Sequence, residues 1–186
     1  MKAIHSFTIL LTDCWEIVQG KVVQEFQNWS VIYSVEFDIT VTNPGFGWTN
    51  VFHFTANGDQ ANYGDRIPAL FINSDGYFHI CSAVSGIVSY CESTAFELGK
   101  QYQITIRQFK SGGTYWYEII IDGESKIKIE NTQPQSFSSV KLYTSNPWYN
   151  HFSSDLGSIC NVKIQQDEYW MNDVTNCGKG ILILCC

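Results

Sequence analysis

The chain has 186 residues, 45% hydrophobic and 15% aromatic, with only 16% charged and a net charge of −7. That length suits one all-β domain, and the apolar share is ample for a sizeable core. Eighteen acidic side chains against eleven basic ones argue against nucleic acid and anionic membrane as partners, because both need clustered cations, and no run of about 18 apolar residues marks a membrane span.

Taken in order, Met1-Lys2 and the apolar stretch 3–11 have the charge and length of a weak signal peptide. His5 and Ser6 interrupt the apolar centre and Thr12-Asp13-Cys14 is a poor cleavage site, so residues 1–14 are read as either a signal peptide or a first strand. From residue 15 to 165 a period of two runs almost throughout, and helical periodicity is absent. Over 31–42, Tyr33, Val35, Phe37, Ile39 and Val41 fall on one face, with Ser34, Glu36, Asp38 and Thr40 on the other. The same alternation recurs over 101–107, 115–122 and 126–130. Turn chemistry punctuates it at Asn43-Pro44-Gly45, Asn57-Gly58-Asp59, Asp75-Gly76, Ser85-Gly86, Ser111-Gly112-Gly113 and Asp122-Gly123. Asp122-Gly123 predicts a two-residue hairpin pairing 114–121 with 124–131. Ten or eleven strands at this spacing predict a two-sheet antiparallel β-sandwich or jelly roll. Residues 166–186 are expected to form an irregular tail.

Seven cysteines point to an oxidising, extracellular setting. Cys81 and Cys91 lie symmetrically about Gly86; if Ser85-Gly86 tips a hairpin, they face one another across it within disulfide range. The alternative is two thiols on one face of a reduced sheet. Cys177, Cys185 and Cys186 fall in the expected tail, and because seven is odd at least one thiol is left free or pairs between chains. Asn28-Trp29-Ser30 is the only glycosylation sequon, with Asn28 as acceptor. Zinc spacings, a Ser-His-Asp grouping, phosphate loops and dinucleotide fingerprints are all missing.

The strand order, with Gly64-Asp65-Arg66-Ile67-Pro68, His79-Ile80-Cys81-Ser82-Ala83-Val84, Asn131-Thr132-Gln133-Pro134 and Asn146-Pro147-Trp148-Tyr149, resembles the concanavalin A-like (laminin G-like) domains of extracellular proteins of marine invertebrates. The resemblance covers about residues 15–165. It implies a concanavalin A-like jelly roll with binding loops at one rim, and neighbouring first and last strands that a Cys14–Cys160 bridge could fasten. Members of that superfamily bind glycans, proteins or steroids, and some are hydrolases, so the fold alone names no ligand.

On these grounds Asp65, Arg66, Asn146, Trp148 and Tyr149 are the candidate rim ligands, with Asp65 and Asn146 the candidates for calcium. The resembled pattern carries Asp where Asn146 stands, and a hard cation favours charged oxygens. For Asp65 and Arg66 the competing reading is loop anchoring, and for Trp148 a plug at one end of the sandwich. Trp48 with His53, and Trp116, are further aromatic candidates. Glu36-Phe37-Asp38-Ile39 resembles the start of the acid motif of laminarinase-like glycoside hydrolases, but the third acid position is Thr40. Retaining hydrolysis needs its complete carboxylate pair. The expectation is therefore a non-catalytic, secreted recognition or adhesion module that binds a glycan or an extracellular glycoprotein. A self-assembling matrix protein joined through spare cysteines is the first alternative, and a glycoside hydrolase the second.

Overall fold

In the computed structural model, which describes residues 5–149, 155–168 and 182–185, fourteen strands form two antiparallel sheets, with no helix among the described residues. The larger sheet holds β1 (His5–Leu11), β2 (Trp15–Glu16), β4 (Tyr33–Val41), β9 (Gln101–Ser111), β10 (Thr114–Ile121), β11 (Glu124–Glu130), β13 (Gly157–Glu168) and β14 (Leu182–Cys185). Its order is β11-β10-β9-β4-β13-β1-β14, with β2 beside β13. The second sheet holds β3 (Val22–Trp29), β5 (Trp48–Thr55), β6 (Ala69–Asn73), β7 (Tyr77–Val84), β8 (Ile87–Ala95) and β12 (Phe137–Tyr143). Its order is β3-β12-β5-β6-β7-β8.

The alternation of β4 becomes its two faces. Val35, Phe37, Ile39 and Val41 are buried, while Ser34, Glu36, Asp38 and Thr40 are half exposed. Because successive side chains of a strand point to opposite sides, the inner row meets the facing sheet. Phe37 meets Phe52 edge-on at 4.9 Å, and Trp29 contacts Tyr33 and Phe54 at 5.1 and 4.8 Å. Each such ring contributes about 1.5–3 kcal/mol through burial alone.

The hairpin tips follow the turn chemistry. Ser85-Gly86 has φ of 53 and 81°, and Asp122-Gly123 has φ of 50 and 80°, the paired left-handed conformations that match strand twist. At Gly157, where β13 begins beside β4, a Cβ would stand 2.0 Å from the Thr40 carbonyl oxygen, so only glycine permits that approach.

Both expected bridges are present. Cys81 and Cys91 are direct partners across β7 and β8, with Cα atoms 4.1 Å apart. Cys14, just before β2, reaches Cys160 in β13 with Cα atoms 4.0 Å apart.

At the N-terminal end the structure has the strand alternative, and at the C-terminal end it departs from the expected tail. His5–Leu11 is a strand paired with β13. The alternation of β13 runs on to Glu168, and Leu182–Cys185 returns beside β1, so part of the expected irregular tail is sheet. An edge strand offers unpaired backbone groups that a following segment can satisfy. Residues 169–181 and 186, with Cys177 and Cys186, lie outside the described residues.

Candidate functional site

Strand β5 carries the clearest departure from simple alternation, since seven of its eight residues are buried. Phe52 and Phe54 enter the core between the sheets. A bulge between Asn50 and Phe52 lets both Asn50, opposite Phe71, and His53, opposite Ala69, point to the outer side. There Ala69, Phe71 and Cys81 form a second apolar cluster, against which Cys91 and Tyr149 pack. The covering segment is the Asn146–Tyr149 loop after β12, which folds back over the sheet.

Asn146 anchors this loop. Its backbone N–H donates to Asn50 Oδ1 at 2.7 Å, and its Oδ1 accepts from the N–H groups of Trp148 and Tyr149 at 3.1 and 3.2 Å. Its Nδ2 donates to His53 Nδ1 at 2.9 Å. On the other side of the ring, Nε2 of His53 lies 2.5 Å from the Asp65 carbonyl oxygen. A carbonyl can only accept, so the proton is on Nε2 and the imidazole is neutral. Burial, opposed by the Asp65 carbonyl, pushes the His53 pKa down to about 4.

Asp65 is fully buried. Its carboxylate accepts from the Gly58 and Asn62 backbone N–H groups at 3.0 and 2.7 Å, and from Asn62 Nδ2 at 3.4 Å. Arg66 pairs with Asp59 rather than Asp65. Nη2 reaches Asp59 Oδ1 at 3.0 Å and the Tyr149 hydroxyl at 3.1 Å; Nε donates to the Asp59 carbonyl and Nη1 to Ser89 Oγ. The guanidinium also stacks over Phe71 at 4.5 Å.

Asp65 and Asn146 therefore stand on opposite sides of His53, and the oxygens expected to take calcium face N–H donors. That donor set does not fit a cation site. Of the five rim candidates, Asp65, Arg66 and Asn146 are loop anchors, and Tyr149 is half-buried over Phe71 at 5.1 Å. Trp148 is 42% exposed. Its ring meets His53 and Tyr143 at 5.5 and 5.8 Å, so it lies against the outer face instead of plugging an end of the sandwich. Trp48, 40% exposed at the start of β5, packs on His79 at 4.7 Å.

The scaffold of Asn50, Asp59 and Ser89 is absent from the sequence reading. Its only sequence signal is a strand without a polar face that nevertheless contains Asn50 and His53. The Asn131-Thr132-Gln133-Pro134 motif is structural too. Asn131 Oδ1 accepts from the N–H groups of Ser85 and Gln133, and Nδ2 donates to Gln108 Oε1, joining the β7–β8 tip to the other sheet. Trp116 lies on the outer face of the larger sheet, with Lys128 5.3 Å from its ring. Asn28 is exposed on β3, next to the core residue Trp29.

Glu36 and Asp38 also stand on the outer side of the larger sheet. Glu36 takes Gln103 Nε2 at 3.5 Å, and Asp38 takes Asn161 Nδ2 at 2.7 Å.

The architecture is that of a two-sheet antiparallel β-sandwich, a jelly roll. No protein-family model matches the chain, and no curated protein sequence matches it. Its fold is similar to that of a heptameric SAP-like pentraxin from Limulus polyphemus, at TM-score 0.51 and 12% identity, over 96% of this chain and 88% of that one. It is also similar to Trypanosoma rangeli sialidase, at TM-score 0.52 and 10% identity over 74% of this chain. A third likeness is to botulinum neurotoxin type C, whose cell entry depends on two ganglioside molecules, at TM-score 0.50 and 12% identity over 74% of this chain. The chain spans 21% of the sialidase chain and 33% of the toxin chain.

Proposed function

We propose that this protein is a non-catalytic, extracellular glycan-recognition module, of the laminin G-like kind its motifs resemble, that binds through the outer face of its six-stranded sheet. The observation that carries this reading is the mounting of Trp148. Its indole is partly exposed, braced by His53 and Tyr143, and held through its backbone by Asn146. An aromatic ring fixed before binding stacks on the apolar face of a sugar with little loss of side-chain entropy. Trp48, on the same face, offers a second platform.

The setting is supported by the two disulfides. A ganglioside-dependent toxin among the similar structures is compatible with a glycan ligand. The non-catalytic reading is supported by Thr40 in place of a third acid, and by the engagement of Glu36 and Asp38 with amide partners on the opposite sheet from the two indoles.

A glycan array probed with the whole chain, with and without chelator, tests the proposal. Binding to a defined glycan class, unchanged by chelator and weakened about tenfold or more in Trp148→Ala, is expected. An array without signal, or one on which Trp148→Ala and Trp48→Ala both bind like the parent, would overturn it.

A further inference from the structure

A second constellation on the outer face of the six-stranded sheet plays no part in that reading. His79 and Cys81 are two residues apart on β7, and Cys91 faces Cys81 from the edge strand β8. Residues two apart share one side of a strand, and directly paired residues share it across the ladder. The result is three ligand-type atoms, one imidazole nitrogen and two sulfurs, all within 4.8 Å of one another. One imidazole and two thiolates are ligands that suit a borderline or soft cation such as Zn²⁺.

The surroundings orient these atoms. The His79 ring lies between the Trp48 indole, at 4.7 Å, and Ser93 Oγ, 2.7 Å from its Nδ1. Metal-binding imidazoles are commonly fixed by a hydrogen bond on the ring. Ser89 Oγ stands 3.4 Å from Cys91 Sγ and accepts from Arg66 Nη1. That places a buried guanidinium one hydroxyl away from the sulfur. Cys81 is fully buried whereas Cys91 is half-buried, so an incoming thiol reaches the Cys91 sulfur.

We propose that the Cys81–Cys91 bridge masks a redox-gated metal site, in which reduction frees two thiolates that, with His79, take one Zn²⁺-like ion. The chemistry balances with a small-molecule thiol as reductant. Two thiols, RSH, reduce the S–S bond to two cysteine thiols and leave as RSSR. Metal binding then releases the two cysteine protons. Oxidation reverses both steps and expels the ion. Cys14–Cys160 has no histidine in such a cluster among the described residues.

The test uses the full chain with Cys177, Cys185 and Cys186 changed to serine. It is titrated with Cd²⁺, as a spectroscopic stand-in, before and after treatment with thiol and removal of excess reductant under argon. The expected result is a thiolate-to-metal absorption that saturates at one equivalent, in the reduced protein only. Cys91→Ser should abolish it, and His79→Ala should weaken binding about tenfold or more, the scale seen when even a supporting residue is lost. The reduced parent should also melt higher with Cd²⁺ present, while His79→Ala shows a smaller rise. No saturable absorption after reduction, the same affinity in His79→Ala, an undiminished signal in Cys91→Ser, or a reduced chain without far-UV strand signal would each overturn the proposal.

Discussion

Asn146 Nδ2 donates to His53 Nδ1 across 2.9 Å, and with the Asn146 N–H bond to Asn50 Oδ1 it joins the loop that carries Trp148 to the strand beneath it. Because Nδ1 accepts from Asn146 and Nε2–H donates to the Asp65 carbonyl, His53 is held in a single neutral tautomer between two loops. Its environment has no room for a charge.

That neutrality sets a pH dependence. His53 has a folded pKa of about 4, while an unfolded histidine titrates near 6.5. Below pH 6.5 the unfolded chain binds a proton that the folded chain refuses. The contribution to stability is complete above about pH 6.5 and falls progressively toward pH 4, by about 3 kcal/mol in total. Denaturant midpoints measured from pH 7 to pH 4 should decline accordingly, and the decline should flatten in His53→Gln. Proton NMR of the His53 ring should show no titration above about pH 5; a midpoint near 6.5 would contradict the buried tautomer.

Removing the anchor should be costly even though Asn146 carries no charge. Asn146→Ala leaves His53 Nδ1 and the Trp148 and Tyr149 amides without their partner. Unsatisfied buried groups cost about 1–3 kcal/mol each, less where water can enter. A total loss of about 2–4 kcal/mol is expected in urea melts, and a loss below about 0.5 kcal/mol would show that the loop does not depend on this side chain.

Arg66 should tolerate neither Ala nor Lys. A lysine cannot reproduce the fork that reaches Asp59, Ser89 and Tyr149 together while stacking on Phe71. Arg66→Lys is expected to cost about 2 kcal/mol and Arg66→Ala about 3, less than a fully buried pair because Asp59 keeps some solvent. Tyr149→Phe, which removes one acceptor, should cost about 1 kcal/mol. Thermal melts of the three variants would reveal this ranking or break it.

The two disulfides should differ in weight. Cys14–Cys160 closes 146 residues and Cys81–Cys91 closes 10. In the chain-entropy account the first contributes about 5 kcal/mol and the second about 2.7. Equilibrium unfolding of Cys14→Ser/Cys160→Ser and Cys81→Ser/Cys91→Ser proteins should show the larger loss in the former. The reverse order would mean that the bridges act through the folded state.

These sites explain what could be read from the chain and what could not. The strands of the larger sheet were legible, because one side is wet and the alternation of 33–41 and 101–107 survives in sequence. The Asp122-Gly123 hairpin was legible for the same local reason, since positive φ at both positions demands such residues. Asp65, Arg66 and Asn146 stood out as polar residues at turns, yet sequence does not show whether a side chain turns outward to a ligand or inward to a backbone amide. Here burial turned all three inward. His53 was legible only as an aromatic beside Trp48, and Asn50 not at all, because their role depends on a loop 93 to 96 residues later in the chain.

Trp148 and Asn146 can be separated by measurement. Trp148→Ala removes the stacking surface but, with 42% of the side chain already in solvent, should cost no more than about 1–1.5 kcal/mol of stability. Glycan affinity should fall by about tenfold or more, the scale of one lost aromatic anchor. Asn146→Ala leaves the indole in place and frees its backbone, so affinity should drop less, through the cost of reordering the loop on binding. Calorimetry would then show a larger entropic penalty for Asn146→Ala than for the parent. If Asn146→Ala instead bound as tightly as the parent while losing stability, the loop would be a structural clasp and the indole would recognise sugar without it.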